Sequence, residues 1–244
     1  MEPQEYHNLR EVEDTHWWFQ SLHELILSAL RKHGPPGKLR IFDAGCGTSG
    51  LAAKMRKLGT VEGVDLSPIA IAHCGARGLP GMRVADLNTL TLPAESYDVI
   101  VSVDVLYHRG IDDPAKILRM FHTGLKPGGV VFLHLPAFEA FRSAHDLRVH
   151  TGRRFRLGAT KRFLREAGFT VLHGSYRIGI LLPLILATRA LRKISGDALS
   201  DVHPVPNILN TPLLILCRME DALTRLLPLP IGLSLYTIAR KPLH

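Results

Sequence analysis

Cysteine is scarce in this chain of 244 residues: there are three, Cys46, Cys74 and Cys217. They form neither a CxxC pair nor an even set, which excludes a secreted disulfide framework and leads us to expect a reduced compartment and no metal site. The opening Met-Glu-Pro-Gln-Glu-Tyr-His has neither the basic start nor the apolar stretch of a secretory signal, so a cytoplasmic protein is expected. Apolar runs do occur at 178–187 and 212–216. Each is far below the ~18 to 20 continuous apolar residues that span a bilayer. Fixed-period repeats and low-complexity tracts are missing as well. No Asn/Asp-Pro-Pro-aromatic element suited to a flipped base follows the stretch 97–107, so no nucleic-acid partner is expected.

What is present is a 46% hydrophobic composition, enough for one sizeable core with an appended subdomain, and a formal charge of +8. That charge favours anionic partners, whether nucleic acid, a phosphorylated metabolite or bilayer head groups, without choosing among them. At 16–30, Trp18, Leu22, Leu25, Ile26, Ala29 and Leu30 recur at helical spacing before Gly34-Pro-Pro-Gly37 halts the helix. Short β-rich runs then alternate with helical stretches: 39–43, 60–65, 82–84, 97–103 and 130–135 are the strands, with crossover helices at 50–58 and 114–124. That rhythm predicts βαβ units and a parallel sheet. Beyond it come a basic stretch, a helix at 161–167, a strand at 169–176, a very apolar segment and a final strand at 233–240.

The most informative stretch is Asp43-Ala-Gly-Cys-Gly-Thr-Ser-Gly50, which follows a strand and opens a helix. Glycines in that context let the backbone turn tightly and approach a ligand without obstruction. The spacing Gly45, Gly47, Gly50 also fits a dinucleotide fingerprint, and Asp65 ends the second strand where ribose hydroxyls are bonded in either cofactor class, so an NAD(P)-dependent reductase stays open as an alternative. Asp43 tips the balance, because a carboxylate just ahead of the first glycine suits a cationic cofactor better than a pyrophosphate. Cys46, small and set between two glycines, reads as wall material rather than a nucleophile.

Five motifs stand in order: Asp43-Ala-Gly-Cys-Gly47, Gly63-Val-Asp65-Leu-Ser, Ala85-Asp86-Leu, Tyr97-Asp-Val-Ile100 and Leu125-Lys-Pro-Gly-Gly129. As a set they resemble the class I S-adenosylmethionine-dependent methyltransferases, over residues 38–136. The resemblance implies an α/β fold, Rossmann-like and doubly wound, with a mostly parallel seven-stranded sheet whose last strand is antiparallel. An N-terminal helix and an apolar helical insertion before the last strand complete that expectation. It also implies S-adenosylmethionine as cofactor, bound by Asp43, Gly45, Cys46, Gly47, Asp65, Leu66, Asp86, Leu87 and Val103. In that reading Gly45 to Gly47 pass under the methionine part, Asp65 holds the ribose, Asp86 and Leu87 meet the adenine, and Val103 lies beside the methionine end.

Two further blocks resemble a bacterial subset of these enzymes. Glu13-Asp-Thr-His16-Trp-Trp-Phe19 is similar to a lead-in whose tryptophan-bearing helix closes over the cofactor, which gives Trp17 and Trp18 a lining role beside plain core packing. Where such sequences then carry an arginine for the cofactor carboxylate, this one has Gln20-Ser-Leu-His23. After the fifth strand, His145-Asp and His150-x-x-Arg153-Arg154 resemble the subset's substrate region. Arg153 and Arg154 are candidates for an anionic acceptor. His145, Asp146, His150 and Tyr107 are candidates for acid–base work, His145 foremost.

The organisation expected is an N-terminal helical lid at 1–37, the cofactor-binding core at 38–136, a substrate-covering segment with the sixth strand at 137–176, an apolar helical insertion at 177–228, and the last strand and tail at 229–244. The function expected is methyl transfer, to oxygen or carbon, on a small-molecule or lipid-linked acceptor. A non-catalytic membrane-peripheral binding protein with a retained methyltransferase fold is the alternative of a different class. The apolar insertion leaves peripheral membrane contact or an oligomer interface open.

Overall fold

The computed structural model describes residues 1–194 and 205–243. The part of the expected insertion at 195–204 lies outside the described residues. Two helices come first, α1 (Pro3–Val12) and α2 (Trp17–His33). Only the second is announced by periodicity. Its start is fixed by His16, whose Nδ1 accepts the Trp18 N–H at 3.2 Å, and its end by the turn at Gly34.

The core alternates as β1 (Leu39–Ala44), α3 (Gly50–Met55), β2 (Gly59–Asp65), α4 (Pro68–Ala76), β3 (Met82–Val84), β4 (Tyr97–Val103), α5 (Pro114–Gly124) and β5 (Leu125–Pro136). After β5 come a short 3-10 turn at Glu139–Phe141, α6 (Ala144–Arg148), α7 (Leu157–Glu166), β6 (Thr170–Arg177), α8 (Leu182–Ile194), α9 (Asn207–Thr224) and β7 (Ser234–Arg240). The seven strands form one sheet in the order β3-β2-β1-β4-β5-β7-β6. Pairings from β3 through β5 are parallel, whereas β7 pairs antiparallel with both β5 and β6. This is the seven-stranded, mostly parallel, doubly wound fold that the resemblance implies.

Strand alternation sends side chains to two apolar layers. Ile41, Val99, Val101, Val130 and Phe132 face α2, α3 and α4, joining Leu22, Leu25, Ile26, Leu51, Met55 and Cys74. Phe42, Ile100, Val131 and Leu133 face the other way, onto Ile117, Leu118 and Phe121 of α5 and Leu164 of α7. Burial on both faces explains why these strands read as continuous apolar runs. Several elements differ from the sequence expectation. Helix α1 is additional, α3 stops at Met55, α7 begins at Leu157 ahead of the expected 161, and β5 begins at Leu125, which pairs with Tyr97 before an irregularity leads to the Val99–Val130 pair.

Candidate active site

The carboxyl ends of β1 and β4 open onto a cavity of about 680 Å³, walled on its outer side by α1, α2, α8 and α9. Its floor is the turn after β1. Gly45 has φ +90°, and a Cβ there would stand 2.2 Å from Cγ2 of Val105, so only glycine fits. The N–H groups of Gly45 and Cys46 both donate to the Val64 carbonyl at 2.9 Å, which ties the turn to β2. Asp65 pulls it closer. Its Oδ2 accepts the Gly47 N–H at 3.0 Å, while Oδ1 accepts the Ser67 N–H at 2.9 Å and the Tyr6 hydroxyl at 3.3 Å.

Asp43, at the foot of the cavity, is buried at 2% exposure. No lysine or arginine forms an ion pair with it among the described residues. Burial is the main reason its carboxyl is pushed up to about 8, and the neighbouring Cys74, Asp65 and Glu13 add to the shift. A cavity ending in an acid without a cation is suited to a positively charged ligand. The thiol of Cys46, also on the wall, is pushed well above its ordinary value by its hydrogen bond with Cys74 and by burial, and is therefore no nucleophile.

Leu66, Asp86, Leu87 and Val103 lie on the same wall as Asp43, Gly45, Cys46, Gly47 and Asp65, so the whole expected cofactor set is brought together. Asp86 is fixed by an Asx turn, accepting the Asn88 N–H at 2.9 Å. Trp17 and Trp18 also line the cavity, and at the same time pack against Ile178, Leu181, Leu182 and Leu233. Their lining and packing roles coexist.

The substrate-region candidates divide. His145, Asp146, Arg154 and Tyr107 are on the cavity wall, whereas His150 and Arg153 are not. Residues 151–155 are held by bridges to His108 and Ala137 at either end, and between them the N–H groups of Gly152 and Arg153 both donate to the Tyr107 carbonyl. Arg154 stands on the wall with its guanidinium on Asp146 and the Ala137 carbonyl, whereas the Arg153 guanidinium donates to the Ile111 carbonyl at 2.9 Å. His150 is exposed, has φ +52°, and places its ring 5.6 Å from that of His108.

Asp146 is engaged rather than free. It accepts from Nε and Nη2 of Arg154 at 3.0 and 3.1 Å and from the Ser143 N–H at 2.7 Å. Burial opposes its ionisation, but the Arg154 and Ser143 hydrogen bonds prevail and hold the carboxyl below its ordinary value. It orders the segment and is a poor base. Burial pushes the Tyr107 phenol upward, so it stays protonated near neutral pH. His145 differs from both: its Nδ1 is buried and has no hydrogen-bond partner among the described residues.

Several wall residues went unremarked in the sequence. Glu13 reaches over the turn, accepting the Gly50 N–H at 3.0 Å and hydrogen bonds from Thr48 and Arg77 at 2.5 Å. His134 is wholly buried in β5, with Nδ1 3.0 Å from Oδ2 of Asp104 and Nε2 2.9 Å from Oγ of Ser234. A histidine inside an otherwise apolar buried strand is a legible signal for such a pair. Its partner gave none, since the left-handed backbone at Asp104, φ +55°, appears only in the folded chain.

A family model described as a methyltransferase domain matches residues 15–174. The chain is similar to the ubiquinone biosynthesis O-methyltransferase of Albidiferax ferrireducens, 32% identical over 132 residues, which are 48% of this chain and 52% of that protein. It therefore spans about half the length of the curated relatives it matches. Among solved structures it resembles a putative sarcosine dimethylglycine methyltransferase from Galdieria sulphuraria, with TM-score 0.62 and 18% identity over 91% of this chain and 86% of that one. It also resembles an S-adenosylmethionine-dependent methyltransferase from Mesorhizobium loti, with TM-score 0.57 and 23% identity over 88% of this chain and 97% of that one. At those identities the structural likeness speaks for the fold.

Proposed function

This chain belongs to the methyltransferase-domain family, and from that premise we propose that it transfers a methyl group from S-adenosylmethionine to a hydroxyl of an apolar small molecule held in the cavity. The observation that carries the cofactor reading is Asp43, a buried carboxyl with no ion-paired cation among the described residues, on a wall that also holds the glycine turn. Once ionised beside a cation, such an acid welcomes a ligand bearing an ammonium and a sulfonium, and in that form it repels pyrophosphate. Gly45 to Gly47 would pass beneath the methionine part, Asp65 would take the ribose hydroxyls, Asp86 and Leu87 would meet the adenine, and Val103 would flank the methionine end.

When bound, S-adenosylmethionine supplies a methyl carbon already activated for attack. The protein's task is to align the acceptor with that carbon and to exclude water. The two tryptophans, Leu213 and Leu233 provide the apolar enclosure. His145, a wall residue whose buried Nδ1 has no hydrogen-bond partner among the described residues, is the group we assign to receive the hydroxyl proton. Oxygen as the methylated atom is supported by the name of the Albidiferax relative.

The test is calorimetric titration of the folded protein with S-adenosylmethionine and S-adenosylhomocysteine, followed by assay of homocysteine-product formation with a panel of apolar phenols. Binding of both ligands and turnover with phenols are expected. Absence of affinity for either ligand in a folded sample sinks the proposal, and binding of NAD(P) instead would revive the reductase.

A further inference from the structure

Helix α9 is inside out. Its buried stripe is Leu214, Cys217, Glu220, Asp221 and Thr224, with two carboxylates among them. Outward it shows Ile208, Leu209, Ile215, Leu216, Met219 and Leu223, all exposed, and Leu226 and Leu227 extend the patch past its end. A helix at a water-facing surface is arranged the other way round.

The inversion is locked in place. Asp221 accepts from Nε and Nη2 of the fully buried Arg177 at 2.8 and 3.1 Å. Glu220 accepts the backbone N–H groups of Ile178 and Ile180, at a turn where Ile178 has φ +60°. Rolling α9 to hide its leucines would strip both carboxylates of partners while leaving Arg177 buried and alone. The apolar face is therefore a fixed property of the fold, and a patch of this extent marks a surface that something covers.

Three observations identify the cover. Leu184 of α8 and Leu209 of α9 are 56% and 57% exposed and also belong to the cavity wall, so patch and cavity are continuous. A second copy or a folded partner seated there would close this mouth, whereas a fluid lipid phase would feed it. At the far end of α9, exposed Arg225 and Lys32 share a groove and form no ion pair among the described residues, in a chain of formal charge +8. Among the described residues no helix is long and apolar enough to cross a membrane, which leaves an in-plane seat.

We propose that the α8–α9 face docks on an anionic lipid surface and that an apolar acceptor enters the cavity from that lipid past Leu184 and Leu209. The route of the acceptor rests on the methyl-transfer reading, and the docking does not.

The test is co-sedimentation of the full chain with vesicles of phosphatidylcholine, alone and mixed with phosphatidylglycerol. Comparison is with the double variant Met219→Glu/Leu226→Glu and with Lys32→Glu/Arg225→Glu. Wild type should pellet with vesicles, more so with phosphatidylglycerol. The first variant should lose at least ~tenfold in vesicle affinity, and the second should lose the phosphatidylglycerol increment alone. S-adenosylhomocysteine affinity should be unchanged in both, which reports that the variants are folded. The proposal is overturned if wild type ignores both vesicle types, if the first variant pellets equally well, or if wild type is a dimer in solution that the first variant dissociates. A failure of S-adenosylhomocysteine to bind wild type would strike the methyl-transfer reading and leave the vesicle result standing.

Discussion

Titration of Asp43 should be visible in cofactor binding. Its carboxyl, pushed up to about 8 by burial and by the acids around it, is mostly protonated in the cofactor-free protein at neutral pH. A cation placed in the cavity favours the ionised form, so binding expels a proton and tightens as pH rises. If only the carboxylate form binds well, one-site linkage makes the association constant grow about ninefold between pH 6 and pH 7, with ~0.9 protons released per ligand at pH 7. Calorimetry in buffers of different ionisation heat counts those protons directly, and staying at or below pH 7 keeps the ligand's own ammonium charged. Asp43→Asn should abolish both the slope and the proton release. The sign for stability is opposite. A carboxyl whose folded value is raised from 3.8 to about 8 contributes stability that is complete below pH 3.8 and fades as pH climbs to 8. The asparagine variant without cofactor should therefore outlast wild type in thermal melts near pH 8. An affinity that is flat between pH 6 and pH 7 in wild type, with no protons released, would refute the reasoning.

Other outcomes follow from the same geometry. Gly45→Ala should cost about 1–3 kcal/mol of stability, from the left-handed backbone and the collision with Val105, and should abolish cofactor binding in titrations. Arg154→Ala strands the buried Asp146 carboxylate and should cost ~3–5 kcal/mol in denaturant unfolding, whereas Arg153→Ala should change unfolding by less than ~1 kcal/mol and leave acceptor KM alone. Arg177→Met alone should destabilise by ~3–5 kcal/mol, and adding Asp221→Leu should recover much of that loss, as expected when an apolar pair replaces a buried ion pair. His145→Gln should lower kcat by about 100-fold or more with little change in S-adenosylhomocysteine affinity; an unchanged kcat would remove it from the mechanism.

The cofactor floor was legible because it is local. Asp43, the glycines and Asp65 sit within two strand–helix turns, and their roles depend on nearby backbone that spacing alone describes. Short β-rich apolar runs likewise announced the central strands. The acceptor side was only half legible. The pair Arg153-Arg154 looks symmetrical in sequence, and only the folded chain gives Arg154 the Asp146 carboxylate and Arg153 the Ile111 carbonyl. Helix α9 reads as an ordinary apolar segment, since its inversion depends on Arg177 meeting Asp221 across 44 residues. Glu13 was hidden for the same reason, as its partners Thr48 and Arg77 lie far along the chain.

The place of β7 in the sheet bears on how this molecule is made. It slots between β5 and β6, later in the chain than either, and the bond that joins His134 to Ser234 closes a loop of 100 residues. Until β7 emerges, β5 keeps an open edge, β6 has no neighbour, and one side of the site is unfinished. Assembly should therefore be slow, and limited by this long-range closure more than by the local βαβ units. During that delay the leucines of α9 are already outside, so the nascent chain presents a sticky surface beside an unpaired strand. Expression yield should respond to chaperones or to added membrane more strongly than the stability of the finished protein does.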